Sequence, residues 1–403
     1  MAASACGRGT APRRPRRPRN RSVRPVPERS ALVNEDKSTR YQRLKRQASV
    51  VSLAAGIIVL AGLVWTGGHV ALRDAAEALA PATMPWRVGA IVFLYVVFLS
   101  LVNEIVTLPI AFYSGFLLER RYNLSTESFG GWARDQLKSL VLGVALGGAA
   151  AEVVYWCIRR SPDQWWVPAG MLFTLALVGL TNLAPVLLLP LFFTVKPLDR
   201  EDLRTRLLAL AQRAGARVVG AYEWGLGGKT RKANAALAGI GGTRRILVSD
   251  TMLADYSDEE IEVVLAHELA HHVHGDIWKG IVLESVLIVS GFYLASRLLP
   301  AMGGAAGLRG VDDVAGLPLL LLAAGAVSVM MLPVANAMSR ALERRADRFA
   351  LQLTRNPAAF ISAMRRLGAQ NLAEEHPSRV VQWLFYSHPP MRERIAAAED
   401  ARS

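Results

Sequence analysis

The sequence predicts a mainly α-helical, polytopic membrane protein with about six spans and a smaller mixed α/β part built from two chain segments. Of its 403 residues, 52% are hydrophobic and the mean hydropathy is +0.25, which is more than a soluble domain needs for its core. The excess is concentrated in six stretches, each close to the roughly 20 residues that cross a bilayer. Polar segments at 195–275 and 339–403 flank the last two stretches.

Residues 1–47 are predicted to form a disordered tail. Their first 30 residues are rich in Arg and Pro and have few large apolar side chains, so they cannot form a core. The tail is too basic and too long for a signal peptide. Its charge suits a solvated position near a membrane surface, and binding of an anionic lipid or of nucleic acid is the alternative interpretation.

Six apolar stretches are candidate spans. They are residues 48–68, 88–118, 139–158, 165–193, 281–299 and 317–338. The fourth is long and interrupted by proline, so two short spans are an alternative there. The spans divide into an N-terminal group within 48–194 and a membrane hairpin at 276–338.

The charge of the loops predicts the orientation. The tail and the loop 119–138 are basic, and with six spans both fall on the same side, which the positive-inside rule makes cytoplasmic. The segments 195–275 and 339–403 reach that side as well. We therefore expect a multi-pass protein of the cell membrane whose α/β part faces the cytoplasm.

The segment 195–275 shows alternating helix and strand patterns. Residues 199–215 form an amphipathic helix pattern that ends at a glycine, and 216–225 are strand-like. Residues 232–253 predict two short strands joined by a Gly-Gly turn. Ser257 and Glu260 form a capping box that predicts the start of a helix.

This last helix carries the motif H-E-x-x-H as His267, Glu268 and His271. Residues four apart share one helix face, so the two imidazoles can bind one metal ion. Zinc suits such ligands and lowers the pKa of its bound water to about 7, and Glu268 would act as the general base. His272 points to another face and is expected to be a surface or cavity residue.

A catalytic zinc needs a third protein ligand, and two glutamates compete for that position. Glu284 lies in the next span. Glu343 lies on a polar helical stripe with Asn336, Arg340 and Asp347. Asp347 could orient a ligand histidine, whereas the alternative interpretation of the stripe is a solvated, charged helix face.

Four blocks of sequence resemble one protein family. They are DEEIEVVLAHELAHHVHGDIWK (258–279), NAMSRALERRADRFA (336–350), SHPPMRERI (387–395) and KANAALAGIGGTRRILVSDTML (232–253). Together they resemble the M48 family of integral-membrane zinc metalloproteases, most of all its Ste24-type CAAX prenyl protease branch. The resemblance extends over residues 50–397 and leaves out the basic tail.

The resemblance implies a zincin-like catalytic part and a role for several residues. Glu343 would be the third zinc ligand, and Asp347 the carboxylate that orients a ligand histidine. His388 and Arg394 would contribute to the active site near the developing oxyanion. The final segment, 339–403, would thereby complete a site that 195–275 begins.

The resemblance also implies how substrate binds. Asn234 and Ala235 would begin an edge strand that binds an extended peptide by strand addition. The spans would enclose an intramembrane chamber. Glu104, Glu152 and Glu284 would suit its wet wall, because a carboxylate facing lipid is costly, and hydrogen bonding between helices is the alternative.

The predicted function is that of a membrane-embedded zinc metalloendopeptidase with one Zn²⁺ per chain. Its substrates would be peptides or membrane proteins, and the lipid bilayer would be its surroundings. Two alternatives remain open from the sequence. One is a membrane-anchored protein that binds polyanions through its tail, and the other is a transporter with a structural zinc.

Overall fold

Helices dominate the structure, a computed structural model that describes residues 36–239 and 241–401. The α-helices of this part are α1 (Lys37–Thr66), α2 (Gly68–Leu79), α3 (Arg87–Ala111), α4 (Leu118–Arg121), α5 (Phe129–Arg160), α6 (Trp166–Leu187), α7 (Leu189–Phe192), α8 (Glu201–Arg213), α9 (Asp250–Asp255), α10 (Asp258–Val273), α11 (Asp276–Gly303), α12 (Leu317–Thr354), α13 (Pro357–Gln370), α14 (Arg379–Phe385) and α15 (Met391–Asp400). The strands are β1 (Thr194–Pro197), β2 (Gly220–Gly225), β3 (Ala235–Ala238) and β4 (Arg245–Ser249).

Six of the described helical segments are long and apolar enough to cross a membrane. They are Lys37–Thr66, Arg87–Arg121, Phe129–Arg160, Trp166–Ala184, Asp276–Gly303 and Val314–Thr354. The predicted stretch 165–193 contributes one of them, because α6 is continuous and α7 adds only four residues. Six candidate spans and a mainly helical fold therefore confirm the predicted fold class.

The first helix begins earlier than predicted. Residues 37–47 were assigned to the disordered tail, but they form the first turns of α1. Their side chains are held by the rest of the protein: Tyr41 is 2% exposed and donates to Glu119, and Gln42 donates to the carbonyl of Leu372. The prediction was wrong here because such contacts are distant in sequence. Residues 1–35 lie outside the described part.

The smaller part contains a mixed sheet in the order β1-β2-β4-β3. β2 and β4 are parallel, and the two outer pairs are antiparallel. The predicted strands at 216–225 and 232–253 are present, whereas β1 was not foreseen because it directly follows an apolar helix. α10 packs against β3, and its capping box at Ser257 and Glu260 is formed as predicted.

The second half of the hairpin is one long helix. α12 runs without interruption through the predicted boundary between 338 and 339. Its first half is apolar and belongs to a candidate span, and its second half carries the polar stripe, on which Asn336, Arg340, Glu343 and Asp347 are all buried. The same rigid element therefore joins the membrane to the site described below.

A cavity of about 760 Å³ lies among α1, α3, α5, α6, α11 and α12. Its wall is largely apolar, but Asn103, Glu104 and Gln136 line part of it. Glu104 accepts a hydrogen bond of 2.8 Å from Gln136 on α5. Glu104 therefore forms a hydrogen bond between two helices and also lines this cavity.

Candidate metal centre

α10 presents the two histidines of the motif on one face. The helix is fixed by apolar residues on its other faces, and Ile261, Leu265 and Leu269 are at most 1% exposed. His267 and His271 lie one turn apart on the remaining face, with their rings 5.1 Å apart. The packing of the helix therefore fixes the backbone positions from which both imidazoles project.

α12 brings a carboxylate to both imidazoles. Glu343 Oε2 lies 3.1 Å from His267 Nε2, and Glu343 Oε1 lies 3.4 Å from His271 Nε2. Within the described ranges, these three residues are the one group whose donor atoms lie close enough to hold a metal ion, all within 4.8 Å of one another. Glu284 is exposed on α11 and is not in this group.

The donor atoms fit a divalent metal of the zinc type. Two imidazole nitrogens and one carboxylate are a common ligand set of catalytic zinc sites. Glu343 Oε2 is also buried without a hydrogen-bond partner among the described residues. An unsatisfied buried carboxylate oxygen is costly, and a cation between these three side chains would remove that cost.

Asp347 fixes the ring of His267. His267 Nδ1 lies 2.8 Å from Asp347 Oδ1. An ionised carboxylate only accepts hydrogen bonds, so Nδ1 carries the proton and Nε2 keeps its lone pair for a metal. Arg394, which is 5% exposed, donates to both oxygens of Asp347 at 2.6 and 2.9 Å.

These contacts change the position expected for Arg394. Instead of lying beside a developing oxyanion, its guanidinium is buried against Asp347. A buried guanidinium requires a carboxylate partner, and Asp347 supplies one. Arg394 therefore supports the orientation of His267 from behind the cluster.

His271 has an equivalent partner that was not identified from the sequence. Its Nδ1 lies 3.1 Å from Asp276 Oδ2, so the proton again lies on Nδ1. Asp276 is 7% exposed and also accepts hydrogen bonds from Lys279 and Arg345. The available signal was an acidic residue directly after the glycine that ends the zinc-motif helix.

Glu268 lies between the two histidines in sequence and is half-buried. Burial raises the pKa of its carboxyl above the ordinary value, while His267 and His271 act in the opposite direction. A carboxyl with a raised pKa can accept and return a proton near neutral pH.

His388 lies on the exposed side of the cluster. Its Nε2 is 3.4 Å from Glu343 Oε1, and its side chain is 59% exposed. Its Nδ1 lies 2.9 Å from the hydroxyl of Ser387. The loop after α14 thus brings His388 next to Glu343 and leaves it accessible from solvent.

β3 lies at the edge of the sheet, and Ala235 is its first residue. The amide of Ser249 donates to the carbonyl of Asn234. Because ladder bonds alternate along an antiparallel pair, the backbone groups of Ala235 and Leu237 point to the free edge. His272 Nε2 lies 3.0 Å from the Leu237 carbonyl, so α10 contacts this edge directly.

Two family models match consecutive parts of the chain. The description "Peptidase family M48" matches residues 197–402, and "CAAX prenyl protease N-terminal, five membrane helices" matches residues 21–194. The described residues within the second range contain four candidate spans. α2, with 12 residues, is too short to add a fifth.

Curated relatives agree with these matches. An uncharacterized metalloprotease, YhfN, of Bacillus subtilis is 32% identical over 323 residues, covering 79% of this chain and 75% of the relative. CAAX prenyl protease 1 of Saccharomyces cerevisiae is 26% identical, covering 75% of this chain and 70% of the relative. The corresponding homolog from Oryza sativa is 27% identical, with 75% and 71% covered.

A solved structure shares the fold. The crystal structure of S. mikatae Ste24p superposes with a TM-score of 0.78 at 23% identity, covering 90% of this chain and 87% of that one. The comparisons do not favour a transporter or a polyanion-binding protein. The chain belongs to peptidase family M48, in its Ste24-type branch of membrane metalloproteases.

Proposed function

We propose that this protein is an endopeptidase that cleaves peptides or membrane proteins at a single zinc ion bound by His267, His271 and Glu343. The observation that carries the proposal is the meeting of these three side chains within 4.8 Å. They come from two helices, 72 residues apart in sequence between the second histidine and the glutamate. A zinc ion bound there would supply Lewis-acid polarisation of the scissile carbonyl and of water.

Glu268 would act as the general base. It would accept a proton from the attacking water and later deliver that proton to the leaving amine. Its half-buried position and raised pKa support this cycle. His388, exposed beside Glu343, would donate a hydrogen bond to the oxyanion that develops on the scissile carbonyl.

The buried carboxylates would act through the histidines. Asp347 and Asp276 each hold a Nδ1 proton, which keeps the Nε2 lone pairs directed at Glu343. Arg394 would secure Asp347 by its two hydrogen bonds. We regard all three as positioning residues, because none of them faces the open side of the cluster.

Asn234 and Ala235 would bind the substrate backbone. An extended peptide added to β3 would receive main-chain hydrogen bonds from the free edge at Ala235. The contact between His272 and the Leu237 carbonyl supports this arrangement, because it fixes the distance between the edge and α10. Binding of this kind depends little on the substrate's side chains.

The catalytic part would face the cytoplasm. The basic loop 119–138 lies at the same end of the spans as α10, since Lys232 and Glu119 form an ion pair of 2.9 Å. Basic loops favour the cytoplasmic side. Membrane crossing itself follows from the six apolar helices and the family.

Quantitative analysis of protein termini in membranes would test the function. Membranes from cells with the wild-type protein should contain processed ends that disappear when Glu268→Gln replaces it. The same substrates, purified, should be cleaved by the wild-type protein in nanodiscs. An unchanged set of termini together with no cleavage of any membrane-derived peptide would contradict the proposal.

A further inference from the structure

The short helix α14 has an exposed apolar face although it belongs to the catalytic part. Val380 is 66% exposed, Trp383 54% and Phe385 42%. Val380 and Trp383 lie three residues apart, which places them on one helix face. The only charged residue of this helix is Arg379, at its first position. A tryptophan and a valine on one exposed face are unusual for a surface that meets water alone.

The C-terminal end of α14 is attached to α12 at a defined height along the span. Asn336 donates to the carbonyl of Leu384 at 2.7 Å, and Arg340 donates to the carbonyls of Gln382 and Tyr386. Val334, 53% exposed on the apolar part of α12, lies only two residues before Asn336. α14 therefore lies where the exposed surface of α12 changes from apolar to polar.

Contacts with the first span, α1, place the end of α14 at the same height along the spans. Arg46 of α1 donates to the hydroxyl of Tyr386, one residue beyond α14, at 2.9 Å. Val50 and Val51, the first exposed large apolar residues of α1, follow four and five positions later. Two spans thus place the end of α14 within about one and a half helical turns, roughly 3 to 8 Å along the helix axis, of their exposed apolar residues.

These observations identify the partner as the bilayer. We propose that α14 lies in the interfacial zone of the membrane, with Val380 and Trp383 inserted beside α12. Tryptophan concentrates at this depth, where its ring meets both acyl chains and headgroups. Trp278 is 51% exposed two residues after the start of α11 and belongs to the same belt.

The location of α14 has a consequence for the active site, and this part rests on the proposed function. His388 follows the helix by three residues and lies 3.4 Å from Glu343. Lipid contact on the exposed face of α14 would act together with the hydrogen bonds that Asn336 and Arg340 donate at its C-terminal end. Both would hold the His388 loop in place. The bilayer would thus help to position a group of the active site.

Spin labels at three valines test the insertion itself. Val380→Cys is compared with Val334→Cys on the apolar part of α12 and with Val219→Cys, 56% exposed before β2. Each carries Cys6→Ser and Cys157→Ala and is reconstituted in nanodiscs. We expect the label at 380 to be relaxed by oxygen, as at 334. Relaxation by a water-soluble nickel complex, as at 219, would overturn the proposal whether or not the protein is a protease.

Activity tests the coupling to the site. Val380→Gln combined with Trp383→Gln should lower kcat in nanodiscs by about tenfold with zinc content unchanged, because small displacements of an active-site group are costly. The single variant Trp383→Phe, which keeps an aromatic ring at this position, should retain most of the wild-type kcat. Trp65→Gln, at the far end of α1 where Trp65 is 91% exposed, is the control. Unaltered kcat in the double variant would refute the coupling.

Discussion

In the candidate metal cluster, the Nδ1 nitrogen of each histidine contacts a buried aspartate. Asp347 could be inferred from its place on the polar stripe of α12, four residues after Glu343. Asp276 could not, because a continuous helix would have carried it past His271. Gly275 instead adopts a left-handed φ of 65° and turns the chain, so that Asp276 returns to His271 Nδ1.

Replacing Asp276 should weaken metal binding without removing a ligand. In Asp276→Asn the charge that stabilises the His271 Nδ1 proton is lost, and Arg345 loses its buried partner. We expect zinc affinity to fall about 10- to 100-fold, measured by competition with a chromogenic chelator. Asp312→Asn, an exposed aspartate in the loop before α12, is the control. Equal affinities in the two variants would disprove a role for Asp276.

Replacing Glu268 should separate chemistry from binding. Glu268→Gln keeps the shape of the side chain and all three proposed ligands, so zinc content should stay near one per chain. Loss of the general base should lower kcat at least about 100-fold. The measurement is cleavage of a fluorogenic peptide alongside metal analysis. A fully active Glu268→Gln protein would rule out this mechanism.

At the scale of elements, α12 decides the architecture of the site. The sequence predicts its apolar first half and its polar stripe as two separate segments. In the structure they form one continuous helix. The strand β3 was predictable as a strand, and its position at the sheet edge agrees with the resemblance. The first turns of α1 were not predictable, because distant partners such as Glu119 and Leu372 stabilise them. β1 was not predictable because it directly follows an apolar helix.

If substrate peptides extend along β3, replacing Asn234 should affect the KM of long peptides more than that of short ones. In Asn234→Ala the metal cluster is untouched, but the start of β3 loses a polar side chain that is exposed beside the free edge. KM should rise for long peptides and change little for short ones, since only long peptides would extend along β3. Steady-state kinetics with a series of peptide lengths checks this. Loss of zinc from the variant would show that the role of Asn234 is misassigned.

At the scale of the whole molecule, six apolar helices and a polar part made from two segments were readable from composition and spacing. The orientation rests on loop charge, and it can be measured. With Cys6 and Cys157 replaced, Ser387→Cys should resist a membrane-impermeant thiol reagent in intact cells and react after lysis. Asp312→Cys, at the opposite end of the spans, should react in intact cells. The reverse pattern would invert the topology.

The proposed site depends most on Glu343, which joins two polar segments separated by two spans. Only folding can bring it to His267 and His271, and its buried Oε2 makes no hydrogen bond among the described residues. A third ligand contributes greatly to zinc affinity, so Glu343→Gln should lose most of its zinc. Glu284→Gln removes the competing glutamate, exposed on α11, and should retain it.

Zinc content of these two purified variants, measured by mass spectrometry after dialysis against a weak chelator, is the most direct test. The proposed ligand set predicts close to one zinc per chain in the wild-type protein and in Glu284→Gln, and nearly none in Glu343→Gln. Full zinc content in Glu343→Gln, or its loss from Glu284→Gln, would contradict the proposed ligand set.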